Sequence, residues 1–583
     1  MTELNHREKA HQGPLATAWL MCMACLLPLA AGAQTVPDAG SLLRENQREP
    51  AQLPTKAVPI IPPAPAASAA SASGNSAAGG IAFTVTAFRI QGAKLVPEAA
   101  LQAALAPWLN RELRFGDLEQ ALQAVSETYR SQGWLARPML PAQDVVGGTV
   151  TLVVIESRLG EVRIDDGGVP LRFSRQRLTQ TLTARQQAGQ ALRPDDLERA
   201  VTLLNDTPGL RVTAVLAAGQ LPGETDLVIK PRDQPRWEGS VQLDNESARA
   251  TGSSRLSGTA SLANPSGEGD QVLFGAHTTG SGNAYLSLAY SVPLGSDGWR
   301  AGANVSALSY RLGHEFASLG ASGSAQTLGA NARYPLLRGS QQSVSFTLAA
   351  DRRRFVNDAN GAEVSDKRLT SFSASLSGDL SDGWQGSGVT LWGINLSSGR
   401  VDLSANAASL AADQAGPRTA GVFTRLNWNL SRLQGLDQRS SLWLSGSGQV
   451  ARNNLDSAEK FGLGGADGVR AYPSLEGSGD SGWLATAEWR YSMQRDLQWV
   501  AFYDHGEVRV DHDDSYAGAP AIGHVALKGA GVGLNWSGFG RYTVRARVAQ
   551  RIGSNPLASP LTGNDSDGSL QRTRVWLALI AVF

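Results

Sequence analysis

The sequence predicts two consecutive α+β units followed by a transmembrane antiparallel β-barrel. Between residues 81 and 235, strand-like and helix-like runs alternate, and the pattern occurs twice. From Trp237 to Phe583 the chain shows no good helical pattern and repeats runs of about ten residues in which apolar and polar side chains alternate. No stretch after residue 31 reaches the roughly 18 apolar residues of a spanning helix, so a membrane-embedded chain would have to cross with strands.

Length, charge and composition further restrict the class of protein to which the chain can belong. A chain of 583 residues is too long to fold around one hydrophobic core, so several domains are expected. The 52 Lys and Arg residues balance 52 Asp and Glu residues, which argues against a nucleic-acid partner. The 64 glycines and the low charged fraction of 18% favour many strands and turns over a helical enzyme.

Residues 1–33 have the pattern of a secretory signal peptide. Arg7 and Lys9 form a basic start, residues 15–30 are apolar, and residues 31–33 form a small-residue cleavage site. Both cysteines lie in the apolar run, so the mature chain is expected to lack thiols, disulfides and cysteine metal sites. A lipoprotein anchor on Cys25 is the weaker alternative, because the residues before it fit that motif poorly.

Two short segments follow the signal. In residues 34–49, Asp38 or Ser41 could cap a short helix with Leu42 and Leu43 on one side, although the residues alone favour a frayed polar terminus. Residues 50–80 are rich in Pro, Ala, Ser and Gly. Such a composition cannot bury a core and predicts an extended linker.

The two α+β units are expected over residues 81–157 and 158–233. In the first unit, Asp117 is a plausible cap of a helix that Gly133 ends. In the second unit a helix is predicted from its apolar face, which carries Leu197, Ala200, Val201 and Leu204.

Residues 234–583 are assigned to the barrel. In the run 283–292, apolar side chains occupy one face and serines much of the other, as expected for strands with lipid on one side and water on the other. A soluble sandwich or solenoid would also alternate, but it explains less easily a last strand that ends on aromatic Phe583. One feature fits less neatly, because the second face of that last strand is apolar too: it carries Trp576, Ala578, Ile580 and Val582.

Two motifs in the barrel region place an arginine and an aspartate in unusual settings. The glycine-rich segment GLGGADGVRAYP (462–473) carries Arg470, and the strand-like segment FYDHGEV (502–508) carries Asp504. An isolated pair of this kind would contribute under about 1 kcal/mol at a surface. In a barrel, however, Phe502, Asp504 and Gly506 would share the lumen face, where the planar donors of a guanidinium match a carboxylate.

Together these features resemble the outer-membrane polypeptide-translocation superfamily, and within it the two-partner secretion transporters of the haemolysin secretion and activation type. The segments YRSQGWLARPMLPAQDVVGGTVTLVVIE and LLNDTPGLRVTAVL resemble polypeptide-transport-associated (POTRA) domains of that family. The resemblance implies a barrel of sixteen strands, two periplasmic POTRA domains, and a helix in residues 34–49 that plugs the barrel.

The resemblance also assigns a role to the two motifs. It implies that the arginine-tipped loop folds into the barrel and that Arg470 meets Asp504 as a conformational loop–barrel lock, with Val469, Tyr472, Phe502 and Gly506 around it. The family often has glycine after the arginine, whereas this chain has Ala471. Such a pair would be structural rather than catalytic.

The function implied by the resemblance is secretion of a protein across the outer membrane. The expected partners are an unfolded, β-helical exoprotein with an N-terminal secretion domain, outer-membrane lipid, and the barrel-assembly machinery acting through Phe583, and the transporter is expected to be a monomer. Two alternatives remain open from the sequence, a barrel-assembly insertase of the same superfamily and a passive porin or receptor. An insertase would usually carry more POTRA domains, and a porin would not need them.

A further group of charged residues is predicted to line the lumen. Four arginines alternate with apolar residues near the end of the chain and form a ladder: Arg541, Arg545, Arg547 and Arg551. This ladder could serve as wall charge that neighbours such as Glu488 neutralise, or as a polar surface for a passing polypeptide.

No catalytic or cofactor motif supports an enzyme. The chain contains neither a G-x-S-x-G segment nor a Gly-Lys dipeptide, so neither a nucleophile elbow nor a Walker-type phosphate loop is expected. The acidic run 511–514 could bind a cation, but a solvated loop is the favoured interpretation. No cofactor and no metal are therefore predicted.

Overall fold

The computed structural model describes residues 36–47, 82–145 and 147–583. The predicted signal peptide (1–33) and the linker (50–80) lie outside the described residues, as do the ends of segment 34–49. The described part contains a short helix, two α/β units and a closed barrel.

The first α/β unit packs two helices against a three-stranded sheet in the order β2-β5-β4. Its second helix begins at Phe115 and its N-cap is Arg114, so the prediction that Asp117 caps it is wrong by three residues. Asp117 instead lies in the first turn, where its carboxylate accepts the Arg114 N–H at 2.8 Å. The elements are β1 (Phe83–Val85), β2 (Ala87–Gln91), α2 (Glu98–Leu105), β3 (Arg111–Leu113), α3 (Phe115–Ser131), β4 (Ala136–Met139) and β5 (Thr149–Glu156).

The second unit repeats this plan with a sheet in the order β6-β8-β7. All four predicted apolar residues of its longer helix, from Leu197 to Leu204, are buried against that sheet. The elements are β6 (Arg158–Ile164), α4 (Arg175–Leu182), α5 (Pro194–Asn205), β7 (Leu210–Ala218) and β8 (Glu224–Asp233).

Sixteen strands of the described residues form one closed antiparallel barrel, which β26 completes by pairing with β9. The prediction of a transmembrane barrel behind α+β units is thereby confirmed. The strands of its first half are β9 (Trp237–Asp244), β10 (Arg255–Ala263), β11 (Gln271–Thr278), β12 (Asn283–Leu294), β13 (Trp299–Arg311), β14 (Ser322–Arg338), β15 (Gln342–Ala359) and β16 (Ala362–Asp382). The second half comprises β17 (Gly388–Asp402), β18 (Gly421–Gly435), β19 (Ser440–Ala451), β22 (Ser481–Ser492), β23 (Leu497–Arg509), β24 (His524–Gly538), β25 (Tyr542–Arg551) and β26 (Thr573–Val582).

The two faces of the barrel differ as the alternation predicts. Apolar side chains such as Leu286, Leu288 and Tyr290 are exposed on the outside, while the intervening residues point into the lumen. The apolar second face of β26 also has a physical explanation. Trp576 and Ala578 point inward and are buried, because a loop fills the lumen beside them.

That loop, residues 452–480, joins β19 to β22 and is called the inner loop below. It carries two short paired strands, β20 (Phe461–Gly462) and β21 (Ser478–Gly479). A second occupant of the lumen is α1 (Ala39–Asn46), whose buried Leu42 and Leu43 belong to the same apolar cluster as wall residues of β13 to β18. The loop between β17 and β18 carries the last helix, α6 (Ala407–Ala415).

The second α/β unit docks on the end of the barrel at which β9 begins. Arg185 and Arg338 form ion pairs of 2.7 and 2.6 Å with Asp297 and Asp206, respectively, which join the unit to the turns of the barrel rim. The inner loop therefore enters the lumen from the opposite end. Within residues 36–47, 82–145 and 147–583, no helix has the length and apolar character required to cross a membrane.

Candidate gating site in the barrel lumen

At the tip of the inner loop, backbone segments approach each other so closely that two positions require glycine. A Cβ atom on Gly464 would lie 2.2 Å from the Pro473 carbonyl oxygen, and one on Gly468 would lie 1.9 Å from that of Leu463. The Val469 N–H donates to the Leu463 carbonyl at 2.8 Å, which closes the tip. The residue that follows, Arg470, is thereby presented to the barrel wall.

Arg470 forms a bidentate pair with Asp504 of β23. Its Nε and Nη2 donate to the two carboxylate oxygens at 2.8 Å each, and its backbone N–H donates to the same carboxylate at 3.1 Å. Asp504 is fully buried and Arg470 is 8% exposed. Charge-assisted hydrogen bonds in this fork geometry are among the strongest that side chains form. Because water is excluded, each of the two charges is compensated mainly by the other.

A second carboxylate completes the coordination of the guanidinium. Glu488 of β22 accepts from Arg470 Nη1 at 2.8 Å, and its other oxygen accepts from Arg490 at 2.8 Å. The Thr486 hydroxyl donates to Asp504 at 3.0 Å. Arg470 is therefore held by carboxylates on two adjacent strands rather than by the single one that the sequence suggested.

The remaining predicted members of the lock surround this pair. The guanidinium lies 3.4 Å from the ring centroid of Phe502, and Val469 and Tyr472 are fully buried. A Cβ on Gly506 would lie 2.7 Å from a methyl group of Leu463, so glycine at this position lets the loop approach the wall. The structure thus brings all six predicted lock residues together.

The predicted arginine ladder separates into three environments. Arg541 lies exposed in the turn before β25, whereas Arg545 and Arg547 point into the lumen from β25. Arg551, at the end of the same strand, is buried, pairs with Asp565 of the following loop and lies 4.5 Å from the ring centroid of Tyr472.

Helix α1 is fixed beside the inner loop by its own cap. The Asp38 carboxylate accepts the Ser41 N–H at 2.8 Å and also receives Lys367 at 2.9 Å and Ser457 at 2.6 Å. Burial alone would raise the pKa of Asp38, but the Lys367 ammonium and the hydrogen bonds outweigh it and hold this pKa below its usual range.

Several residues of the site were missed in the sequence. Lys367, Asp456 and Glu459 are buried charged residues of the lumen, and the Trp576 indole donates to the Arg470 carbonyl at 2.8 Å. For Trp576 a signal existed, since it stood on the unexpected apolar face of the last strand. The three charged residues carried no signal, because their partners are far away along the chain.

Comparison with known proteins identifies the chain's family. The model of the "Haemolysin secretion/activation protein ShlB/FhaC/HecB" family matches residues 223–536, more than half of the chain. The chain belongs to this family. A POTRA domain of ShlB type also matches residues 83–157, which span the first α/β unit.

Curated relatives cover nearly the whole chain. The heme/hemopexin transporter protein HuxB of Haemophilus influenzae is 27% identical over 94% of this chain and 95% of its own length. The outer membrane transporter CdiB of Escherichia coli is 26% identical over 85% of this chain and 82% of its own. The chain is therefore an outer-membrane transporter of the two-partner secretion type with POTRA domains in the periplasm, which confirms the predicted family and location. Transporters of this type act with a secreted exoprotein partner.

Solved structures share the fold. CdiB from Escherichia coli superimposes with a TM-score of 0.67 at 20% identity, covering 99% of this chain and all of its own. CdiB from Acinetobacter baumannii gives 0.59 at 16% identity, covering 98% of this chain and 97% of its own. BamA from Haemophilus ducreyi lacking POTRA domains 1–3 gives 0.50 at 13% identity, covering 86% of this chain and all of its own. At these identities the likeness concerns the fold alone.

Proposed function

We propose that the barrel lumen is the path by which an unfolded exoprotein partner leaves the periplasm, and that α1 and the inner loop close this path at rest. The observation that carries the proposal is that both elements lie inside the closed barrel, each bound through an ion pair to a buried charged residue of the wall. A passive porin would not need two occupants of its lumen held in this manner.

In this proposal the contact of Arg470 with Asp504 and Glu488 is a conformational lock, not a catalytic site. Its strength comes from mutual dependence, because removal of one partner leaves a buried charge uncompensated at a cost of about 3–5 kcal/mol. Val469, Tyr472, Phe502 and Gly506 serve the lock by packing. The chain is accordingly proposed to be a transporter without enzymatic activity.

The domain division follows from this assignment. We assign residues 34–49 to a plug segment, 50–80 to a linker, 81–157 and 158–233 to the two POTRA domains, and 234–583 to the barrel. The linker would let the plug segment move into the periplasm while it stays attached to the chain.

Cargo recognition is assigned to the POTRA domains. Strands β4 and β7 lie at the edges of their sheets, where an extended segment could add a strand through main-chain hydrogen bonds that ask little of its sequence. The proposed partner is a β-helical exoprotein with an N-terminal secretion domain. Its folding outside the cell, rather than ATP hydrolysis, would prevent its return. Adhesins, cytolysins, contact-dependent toxins and haem-binding proteins are the candidate cargo classes.

The remaining proposals concern the membrane. The apolar outer faces of the barrel strands would contact outer-membrane lipid, and the transporter would act as a monomer. The barrel-assembly machinery would recognise the last strand together with Phe583, which follows β26 and is 69% exposed.

The function is tested by comparing culture supernatants by mass spectrometry. The strains are the native host, a deletion strain, and the deletion complemented with wild type or with Arg470→Ala. Loss of one large protein, restored by wild type and only weakly by the variant at equal barrel levels, would support the proposal and identify the partner. Unchanged supernatants with depleted outer-membrane barrels would favour an insertase, and cargo-independent conductance with no secretion defect would favour a porin.

A further inference from the structure

The inner loop carries a second anchor, Glu459, eleven residues before Arg470. Its side chain is 1% exposed and lies between two arginines of the lumen wall. The carboxylate oxygens are 2.6 Å from Arg353 Nη2 of β15 and 2.6 Å from Arg425 Nε of β18. The donor and acceptor atoms are close, but their angles do not meet the geometry of a hydrogen bond. The attraction between Glu459 and the two arginines is therefore mainly coulombic.

Asp456, three residues earlier, binds the same side of the wall. Its two carboxylate oxygens receive the Lys367 ammonium of β16 at 2.9 and 2.8 Å. Residues 456–459, called the acidic arm below, are therefore bound by cations of three strands from β15 to β18. Arg470, in contrast, is bound by carboxylates of β22 and β23, and β23 lies six strands beyond β15 around the barrel of sixteen.

The inner loop therefore spans the lumen. Its acidic arm binds β15, β16 and β18, and its positively charged Arg470 binds β22 and β23. This arrangement differs from a single lock, since releasing either end leaves the other end attached. The two anchors also have opposite charge, so neither end can exchange its binding site for the other's.

Helix α1 contacts the acidic arm, where the Ser457 hydroxyl donates to Asp38, but the ion pairs that bind the arm to the wall are formed without the helix. Asp38 shares Lys367 with Asp456, and Arg44 Nη1 donates to the Ser457 and Lys460 carbonyls at 3.1 and 2.7 Å. If α1 leaves, Lys367 still pairs with Asp456. The arginine contacts of Glu459 do not involve the helix at all.

We infer that Glu459 is a gating residue whose contacts with Arg353 and Arg425 hold the acidic arm in the lumen as a second barrier, which opens in a step separate from departure of α1. The inference rests on the proposed closure of the lumen by these two elements. It predicts that a pore without its helix is only partly open.

The test measures single-channel conductance of the full-length protein in planar lipid bilayers, with no cargo present. Leu43→Asp places a charge in the buried cluster that holds α1 and is used to release the helix. Adding Glu459→Gln to Leu43→Asp should raise the ratio of open to closed time about tenfold, because both ion contacts of the buried triad are lost. Arg353→Gln together with Arg425→Gln, in the same background, should give an equal increase.

The matched control is Glu363→Gln, which removes an exposed carboxylate at the start of β16. It should leave the conductance of the Leu43→Asp protein unchanged, and heat-modifiable gel mobility shows that each barrel is folded. If Glu459→Gln adds nothing to Leu43→Asp, or if it opens the pore fully with α1 still docked, the inference is wrong. Since no cargo is needed, a failure here is separate from a failure of the secretion experiment.

Discussion

The indole N–H of Trp576 in the last barrel strand donates a 2.8 Å hydrogen bond to the main-chain carbonyl of Arg470 at the tip of the inner loop. The strand that closes the barrel therefore holds the loop through its backbone, while β22 and β23 hold it through the guanidinium. A buried carbonyl that loses its donor costs about 1–3 kcal/mol.

Trp576→Phe should accordingly destabilise the docked loop while the barrel remains folded. The phenyl ring keeps most of the apolar contact but cannot donate, so we expect a loss of about 1–3 kcal/mol. The measurement is the thermal midpoint of the gel-mobility shift together with bilayer conductance, which should rise. Trp489→Phe, at a lipid-facing position that is 43% exposed, should change neither; equal effects of the two variants would contradict the assignment.

The difference between Trp576 and Glu459 explains what the sequence could and could not predict. Strand alternation fixes which residues face the lumen, so Asp504 could be placed on the correct face and Trp576 could be noticed as an anomaly. The partners of Glu459 could not be found, because a loop has no periodicity and Arg353 is 106 positions away.

The plug helix α1 also depends on contacts with residues far away in the sequence, which local sequence patterns cannot predict. Eight residues cannot form a stable helix in water, and for that reason the local pattern favours a frayed terminus, which the capped helix of the structure contradicts. The helix persists because the lumen buries Leu42 and Leu43 and supplies Lys367 to its cap. Tertiary contacts of this kind are invisible in a local pattern, and only the family resemblance pointed to the plug.

Conservative substitution at either end of the Arg470–Asp504 pair should weaken the lock, for different reasons. Asp504→Asn leaves the cation with Glu488 alone, whereas Arg470→Lys replaces a planar fork by a single ammonium that cannot satisfy both carboxylates. Each change should lower secretion of the partner and cost about 3–5 kcal/mol of loop docking.

A double-mutant cycle with Arg470→Gln and Asp504→Asn measures the direct interaction. The double variant should be less destabilised than the sum of the singles by about 0.5–3 kcal/mol, because no lone charge remains on either side of that pair. Strict additivity in the thermal midpoints would mean that the two side chains do not interact.

Stability should also depend on pH through Glu246, in the turn after β9. Burial, and then the nearby Asp467 carboxylate, raise the pKa of Glu246 to about 7, although Arg545 and Arg255 oppose the shift. The folded protein therefore holds this proton more tightly than the unfolded chain does. Stability from this group is complete below about pH 4.5 and is lost as the pH rises towards 7, by about 1–3 kcal/mol.

Glu246→Gln should remove that pH dependence and make the protein more stable than wild type at pH 8. Thermal midpoints at pH 5 and pH 8 provide the comparison, with Glu238→Gln near the start of β9 as the control, where the wild-type slope should persist. A wild-type protein whose midpoint rises between these two pH values would contradict the sign of this effect.

The backbone crossing at the tip of the inner loop should not tolerate a single added methyl group. Gly468→Ala would place its Cβ 1.9 Å from the Leu463 carbonyl oxygen, the atom that accepts the Val469 N–H. That hydrogen bond must then break and Arg470 must shift away from the wall. We expect weaker secretion and higher conductance at normal barrel levels. Gly258→Ala, where the nearest atom to the new Cβ is 3.9 Å away, should behave as wild type. Equal behaviour of both variants would show that the tip can move without disturbing the lock.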